Sequence, residues 1–511
     1  MSGISFIKDG LFGLRALRKQ PSLLIVFIST LAVSIGASTA IFSVVNSVLL
    51  RPLPYNEADQ LVMLWQTDVE GSKKSGDDRL PVSYGDFSDI KESNNVFEQV
   101  AGLDTWFANL TGVDDPERLY GVRVSSDFFS IMRVNPILGH VFTAEDELPT
   151  ADRVLLLSYS FWQRQFGGSS DAIGRKIILN EFPYIIVGVL PPNFRFTETS
   201  NLSSFKFSNR TDVYAPLIIG DRRNNRGFHN LAVVARLKPG VNTEQAQAEI
   251  QAFASQAARQ HPETNKAYGM KVIPLKNQVT GDVKPVLLII WAATGFVLLI
   301  ACANLAILLL ARATTRHKEL AVRVALGATR TRIIYQLLAE SFFLSLLGGI
   351  IGIFIAYFGT LLLINFSPSK VLQYNPLTMD IRVLGFTLCV SILTTLLFGL
   401  LPAFLSVKHD LADDLKEGAY GSQRRSRPIL QFLVVAEIAL TIVLLVGAGL
   451  SVKSFIYLSS VDPGFNSEKV VTSDIFLPLA RYRENAQRVN LFQQIAEKIK
   501  ALPEVQSVGM N

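Results

Sequence analysis

Five apolar runs, each long enough to cross a bilayer, limit this chain more than any other feature. The first lies between Pro21 and Arg51 and holds no charged residue. The second lies between Lys284 and Arg312, the third runs from Ser341 to Ser369, and the fourth lies between Arg382 and Lys408. The fifth, Pro428 to Val452, holds one charge, Glu437. A spanning helix needs roughly 20 mostly apolar residues, so all five suffice with some tilt. Charged residues make up 18% of the chain, against about 25% in soluble domains. That deficit is concentrated in these runs, and the stretches between them read as soluble. The fold class expected is an α-helical transmembrane bundle plus a large extracytoplasmic α+β domain.

Short loops rich in Lys and Arg stay in the cytoplasm. Lys8, Arg15, Arg18 and Lys19 precede the first run. Arg312, Arg316, Lys318, Arg323, Arg330 and Arg332 separate the second from the third. Lys408, Lys416, Arg424, Arg425 and Arg427 separate the fourth from the fifth. One orientation satisfies all three: N-terminus in the cytoplasm, the long stretch after the first span outside. The net charge of +6 follows from these loops rather than from a nucleic-acid surface. Ser38-Thr39-Ala40 offers a signal-peptide cleavage site, but the apolar run continues to Leu50, past the usual 7–15-residue core of such a peptide, which favours an uncleaved anchor.

The expected organisation follows. A cytoplasmic segment occupies 1–20. Spans occupy 21–50, 285–311, 337–366, 383–407 and 429–452. The outside domain covers 51–282. A cytoplasmic segment covers 312–336 and a cytoplasmic loop 408–428. A second outside region starts at 453 and runs to 511.

In the outside domain, Ser83 caps a helix with Asp86 in its first turn. Lys176 to Leu190 reads as two strands around a short turn, and Leu231 to Leu237 as another strand. Asn242 and Gln245 form a capping box for a helix ending near Gln260. Past the fifth run, Val470-Val471 reads as strand-like, Glu484 to Ala501 as helix and Pro503 to Val508 as strand. No catalytic or metal-binding pattern stands out. His140, His229 and His261 have no partner at ligand spacing, and Glu145-Asp146-Glu147 is a solvated turn. Cys302 and Cys389 sit inside apolar runs and suit neither a disulfide framework nor a zinc site. No cofactor is expected. The sequence contains no G-x-x-x-x-G-K-[ST] phosphate loop; Gly71 to Gly76 lacks the Lys and Ser/Thr that must follow its last glycine.

Three segments together resemble a known family. Phe161-Trp-Gln-Arg-Gln-Phe-Gly167, Ile173-Gly174 and Val187-Gly-Val-Leu-Pro-Pro-Asn-Phe194 resemble the periplasmic core domain of MacB-type ABC transporter permeases. Arg316-His-Lys-Glu-Leu-Ala-Val-Arg-Val-Ala-Leu-Gly-Ala-Thr-Arg330 is similar to the signature loop of FtsX-type permeases. Ser43-Val-Val-Asn-Ser-Val-Leu-Leu-Arg-Pro-Leu-Pro-Tyr55 is similar to the duplicated bacterial orphan permeases of that superfamily. The resemblance implies a multi-pass protein of the bacterial inner membrane. It implies a separate cytoplasmic ABC ATPase as partner, besides membrane lipid and an extracytoplasmic partner. It implies mechanotransmission, in which ATP hydrolysis moves the outside domain to drive export or efflux. It also implies a second outside domain and three more spans beyond residue 511. A regulator or scaffold of an extracytoplasmic enzyme, such as a cell-wall hydrolase, is the alternative. A proton-driven carrier would need titratable groups along several spans.

The signature loop has its own physical reading. Leu320, Ala321, Val324 and Ala325 fall on one helix face, and Arg316, Glu319 and Arg323 on another, with Lys318 beside them. Glu319 and Arg323 form an i,i+4 pair, Gly327 can end the helix, and Thr329 can cap the next. Spacing alone fits either an interfacial helix lying on lipid or a surface pushed by an ATPase. The resemblance favours the second. Inside the spans, Asn304 can bond across helices, Glu340 can snorkel from the end of span three, and Glu437 should face protein or water. Gly348 and Gly352 form a small-xxx-small pair for close helix packing.

Overall fold

The computed structural model describes residues 21–68, 79–93, 95–111, 117–196, 210–281, 283–315, 329–366, 380–407, 421–461, 470–473 and 484–509, with 475, 477 and 482. Two compact units result. One combines Met1–Arg51 with Asp282–Lys469, the other Pro52–Gly281 with Val470–Asn511.

The first unit is a bundle of long apolar helices. Span one is Pro21–Val45, continued by a wider turn at Asn46–Leu50. Span two is Lys284–Thr315, span three Arg330–Phe366, span four Ile381–Val407 and span five Gly421–Ser459. Each contains a stretch long and apolar enough to cross a membrane. Span one packs against spans two, three and four, and span five packs on span two. The bundle core joins Phe27, Leu31 and Ile35 to Cys302, Leu305, Leu344 and Phe398. Phe42 stacks on Phe386 at 3.9 Å. Glycine sets how closely spans one and three approach. A Cβ on Gly36 would lie 2.9 Å from the Gly352 carbonyl oxygen, and one on Gly348 would lie 2.6 Å from Leu31 Cβ. Both are too short for a side chain, so only glycine permits this crossing.

The second unit is α+β. Its strands are β1 (Leu61–Asp68), β2 (Arg79–Leu80), β3 (Val82–Ser83), β4 (Phe97–Thr111), β5 (Glu117–Val124), β6 (Leu138–Gly139), β7 (Val154–Leu157), β8 (Lys176–Leu179), β9 (Phe182–Val189), β10 (Val213–Pro216), β11 (His229–Leu237) and β12 (Tyr268–Pro274). They form one mixed sheet in the order β12-β1-β11-β4-β5-β10-β7-β9-β6, with β2, β3 and β8 attached at its sides. β5 with β10 and β7 with β9 are parallel; the other pairs are antiparallel. Helix α1 (Tyr84–Ser93) starts where Ser83 Oγ accepts a hydrogen bond from the Asp86 N–H. Helices α2 (Asp127–Met132) and α3 (Tyr159–Phe166) follow. Helix α4 (Thr243–Gln260) opens on the reciprocal Asn242–Gln245 capping box.

Two apolar cores lie along the sheet. One joins β1, β11 and β12 to α1 and α4 through Leu64, Phe87, Val233, Ile250 and Val272. The other joins β4, β7, β9 and β10 to α3 through Leu110, Leu155, Phe161, Ile186 and Val213. Each fully buried side chain of this size contributes about 1.5–3 kcal/mol before entropy is counted. The long β4 spans both cores.

Two strands expected from the sequence do not form. Residues 470–471 and 503–508 are irregular; helix α5 (Asn485–Lys500) lies between them. A strand needs a neighbouring edge to bond, and among the described residues none lies beside them.

Candidate functional site

Arg316, Lys318, Glu319, Leu320, Arg323, Val324 and Gly327 lie outside the described residues, which resume at Thr329. The helix of span three begins directly after Thr329, whose carbonyl accepts from the Arg332 N–H at 3.0 Å.

The three polar residues read inside the spans take different places. Asn304 is exposed on span two and, among the described residues, bonds across to no helix. Glu340 is buried rather than extended to the interface, because span three packs against spans one and four along its length. It leads a polar stretch with buried Ser341 and Ser345. Glu437 is half-buried on span five.

Sequence reading missed a hydroxyl seam through the bundle. Span one contributes Ser34, Ser38, Thr39 and Ser43, and span four Thr387, Ser391, Thr394 and Thr395, all buried. Thr39 Oγ1 and Thr387 Oγ1 are 3.1 Å apart, and Thr394 Oγ1 donates to Ser345 Oγ at 3.5 Å. Most span-four hydroxyls also bond carbonyls one turn back, as Thr387 does to Val383 at 2.9 Å. These self-satisfied groups let helices pack closely without a charge in lipid.

The seam ends at a clamp. Arg51 Nη2 donates to Asp380 Oδ2 at 2.8 Å, and Asn46 Nδ2 donates to the same oxygen at 3.1 Å. Asp380 Oδ1 caps span four by accepting the Val383 N–H at 3.0 Å. Burial opposes the Asp380 charge, but the bonds from Arg51, Val383 and Asn46 outweigh it and hold the carboxyl below its ordinary range. The clamp therefore contributes most above the ordinary carboxylate pKa and is lost as pH falls through the lowered one. One ion pair thus ties the end of span one to the start of span four.

The α+β unit holds its own charges in closed networks. Asp86, 1% exposed, accepts from Gln66, Ser83, Arg226 and Asn265 at 2.6–2.8 Å. His229 bonds Gln66 from the next shell, and burial lowers its pKa. Arg236, also 1% exposed, reaches the carbonyls of Asn56, Glu57 and Ile131. These are partners for stability, and among the described residues no metal-binding group of His, Cys, Asp or Glu occurs. The only sequence signal for Arg236 was a single charge inside an apolar strand.

A bundle of membrane-length helices joined to a mixed-sheet domain defines a multi-pass membrane protein with a large folded extramembrane part. Residues 24–253 match the MacB-like periplasmic core domain, and residues 291–411 match the FtsX-like permease C-terminal domain. The macrolide export ATP-binding/permease protein MacB of Salmonella paratyphi A is 24% identical over 399 residues, covering 76% of this chain and 58% of that protein. The ABC transporter permease YknZ of Bacillus subtilis is 26% identical over 280 residues, covering 54% of this chain and 65% of that one. Among solved structures, a domain of a putative permease from Porphyromonas gingivalis aligns at TM-score 0.34 and 18% identity, over 44% of this chain and 92% of that domain. The periplasmic region of MacB from Actinobacillus actinomycetemcomitans aligns at TM-score 0.32 and 12% identity, over 48% and 97%. The chain belongs to the MacB/FtsX-type ABC transporter permeases. It spans 58% of the length of the macrolide exporter that it matches.

Proposed function

We propose that this chain is the permease subunit of an inner-membrane ABC transporter that works by mechanotransmission. A separate cytoplasmic ATPase drives movements of an extracytoplasmic α+β domain, and the work done is export. The observation that carries this reading is the order of parts. A MacB-like core region precedes an FtsX-like permease region, and the 511 residues contain no phosphate-binding loop of their own.

The charge bias supports the orientation. Basic residues crowd the stretches before span one, between spans two and three, and between spans four and five, a bias that favours the cytoplasm for these. The α+β unit is then extracytoplasmic. Arg316 to Gly327 becomes the surface on which the ATPase pushes, with Leu320 and Val324 at its centre and Arg316, Lys318, Glu319 and Arg323 at its rim. Glu340 serves packing rather than a proton path, because among the described residues no chain of titratable groups links it to Glu437.

Orientation is tested by single cysteines at exposed Ser170 in the α+β unit and at Ser422, in a Cys302→Ser, Cys389→Ser background. An impermeant thiol reagent applied to intact spheroplasts should label the Ser170 position and spare the Ser422 position. The reverse pattern contradicts the orientation and the proposed machine with it.

A further inference from the structure

A cavity of about 550 Å³ opens in the α+β unit over β4, β5 and β9. Its floor follows from strand periodicity. From Thr105 onward, β4 alternates: Ala108 and Leu110 enter the core, while Thr105, Phe107 and Asn109 line the cavity. Trp106 reaches the cavity as well as the core because its cross-strand partner is Gly121. A Cβ on Gly121 would lie 2.7 Å from the indole ring. Tyr184 meets Trp106 with ring centres 5.4 Å apart.

Two guanidinium groups lie over aromatic rings at this cavity. Arg123 sits 5.1 Å from the Trp106 ring centre, and Arg153 sits 3.6 Å from that of Phe182. Among the described residues neither is in an ion pair, and neither the Trp106 N–H nor the Tyr184 O–H has a hydrogen-bond partner. Largely buried Trp and Tyr normally place these donors on a partner. Two guanidinium groups outside any ion pair therefore line one space. The facing charges favour an anion. Arg222 is committed to the Tyr84 hydroxyl and the Ile218 carbonyl, and Asp146 is committed to Thr143. The lining thus carries three guanidinium groups, Arg123, Arg153 and Arg222, against two carboxylates, Asp146 and Asp152, with Asp104 across the strands from Arg123.

We propose that this cavity binds a small organic anion carrying an aromatic ring. Its carboxylate or sulfonate meets Arg123 and Arg153, and its ring packs against Trp106 and Phe107. The volume suits a small molecule, since ligand sites run to about 300–1,000 Å³. The inference concerns a ligand site in the α+β unit and stands apart from energy coupling.

The test uses the full chain in lipid nanodiscs and para-fluorobenzoate as probe, followed by fluorine NMR against empty nanodiscs. Saturable binding is expected, with the neutral para-fluorobenzamide and the ringless acetate each at least about tenfold weaker. Arg123→Ala with Arg153→Ala should weaken para-fluorobenzoate by roughly 10- to 100-fold, the worth of charge-assisted hydrogen bonds. Arg175→Ala, an exposed arginine of the same unit, should change nothing. Four results would each overturn the site: equal binding of the amide, equal binding of acetate, an unchanged double variant, or no uptake beyond empty nanodiscs at millimolar probe.

Discussion

Gly348→Leu is expected to abolish assembly of the helix bundle. A Cβ at this position would lie 2.6 Å from Leu31 Cβ on span one, and the rest of the leucine must fit beyond it. The crossing cannot open locally, because one turn further the backbones themselves touch. Gly352 and Gly36 face each other there, with a Cβ on Gly36 only 2.9 Å from the Gly352 carbonyl oxygen. Lipid tails are as apolar as the side chains, so tight packing, not hydrophobic transfer, holds the spans together. Overpacking usually costs about 1–3 kcal/mol. A clash against a backbone-to-backbone crossing belongs at or above the top of that range. Gly295→Leu on span two is the control, since a Cβ there meets nothing within 4 Å. The readout is the yield of monodisperse protein in mild detergent and its thermal midpoint. Gly348→Leu should give almost none, and Gly295→Leu should match the native chain. Equal yields for both would refute the close crossing of spans one and three.

Arg236→Met should cost the α+β unit about 1–3 kcal/mol. The guanidinium is 1% exposed inside β11 and works as a four-way tie. Its Nε donates to the Ile131 carbonyl at 2.9 Å, and Nη2 donates to the Asn56 carbonyl at 3.0 Å. Nη1 donates to the Glu57 carbonyl at 3.2 Å and to Gln60 Oε1 at 3.3 Å. Methionine matches the stem but takes the guanidinium donors from the Ile131 carbonyl and Gln60 Oε1, while the exposed Glu57 carbonyl keeps the Gln60 N–H. Lysine should rescue little, because a single ammonium cannot reach a fork of acceptors. In chain order, Asn56 and Glu57 follow span one within a few residues. The expected drop in the melting midpoint of the unit is roughly 5 °C, read from tryptophan fluorescence. A drop under about 2 °C would show that the tie carries no weight.

What could be read from sequence followed the range of the interactions. Span length is set by bilayer thickness, so charge-free runs mark the helices directly. The Asn242–Gln245 capping box and the Ser83 cap act over three residues and were equally plain. The β8–β9 hairpin was legible from its two apolar runs, and its turn residues Asn180 and Glu181 do adopt positive φ of 50° and 73°. The sheet order was not legible, because β11 inserts between β1 and β4 from more than a hundred residues away. Arg236 was hidden for the same reason, since its acceptors come from residues 56, 57 and 131. The clamp of Arg51 on Asp380 and the cavity of Arg123 and Arg153 also depend on contacts between distant residues. The strands read at 470–471 and 503–508 failed because a strand pattern cannot supply its own neighbour.

The central claim is that a separate ATPase drives this permease through the segment from Arg316 to Gly327. The direct measurement is ATP hydrolysis by the partner ATPase in reconstituted membranes, with the native permease and with substituted ones. A central apolar anchor at an interface is worth about 2 kcal/mol or more, and a rim charge about 0–1 kcal/mol. Leu320→Ala and Val324→Asp should therefore remove most of the stimulated hydrolysis, while Lys318→Ala should keep most of it. Gly327→Val should act like the first two, since a β-branched residue resists the positive φ of a helix end. If Val324→Asp and Gly327→Val instead leave both stimulated hydrolysis and capture of the ATPase unchanged, the segment lies on lipid and the coupling is wrong.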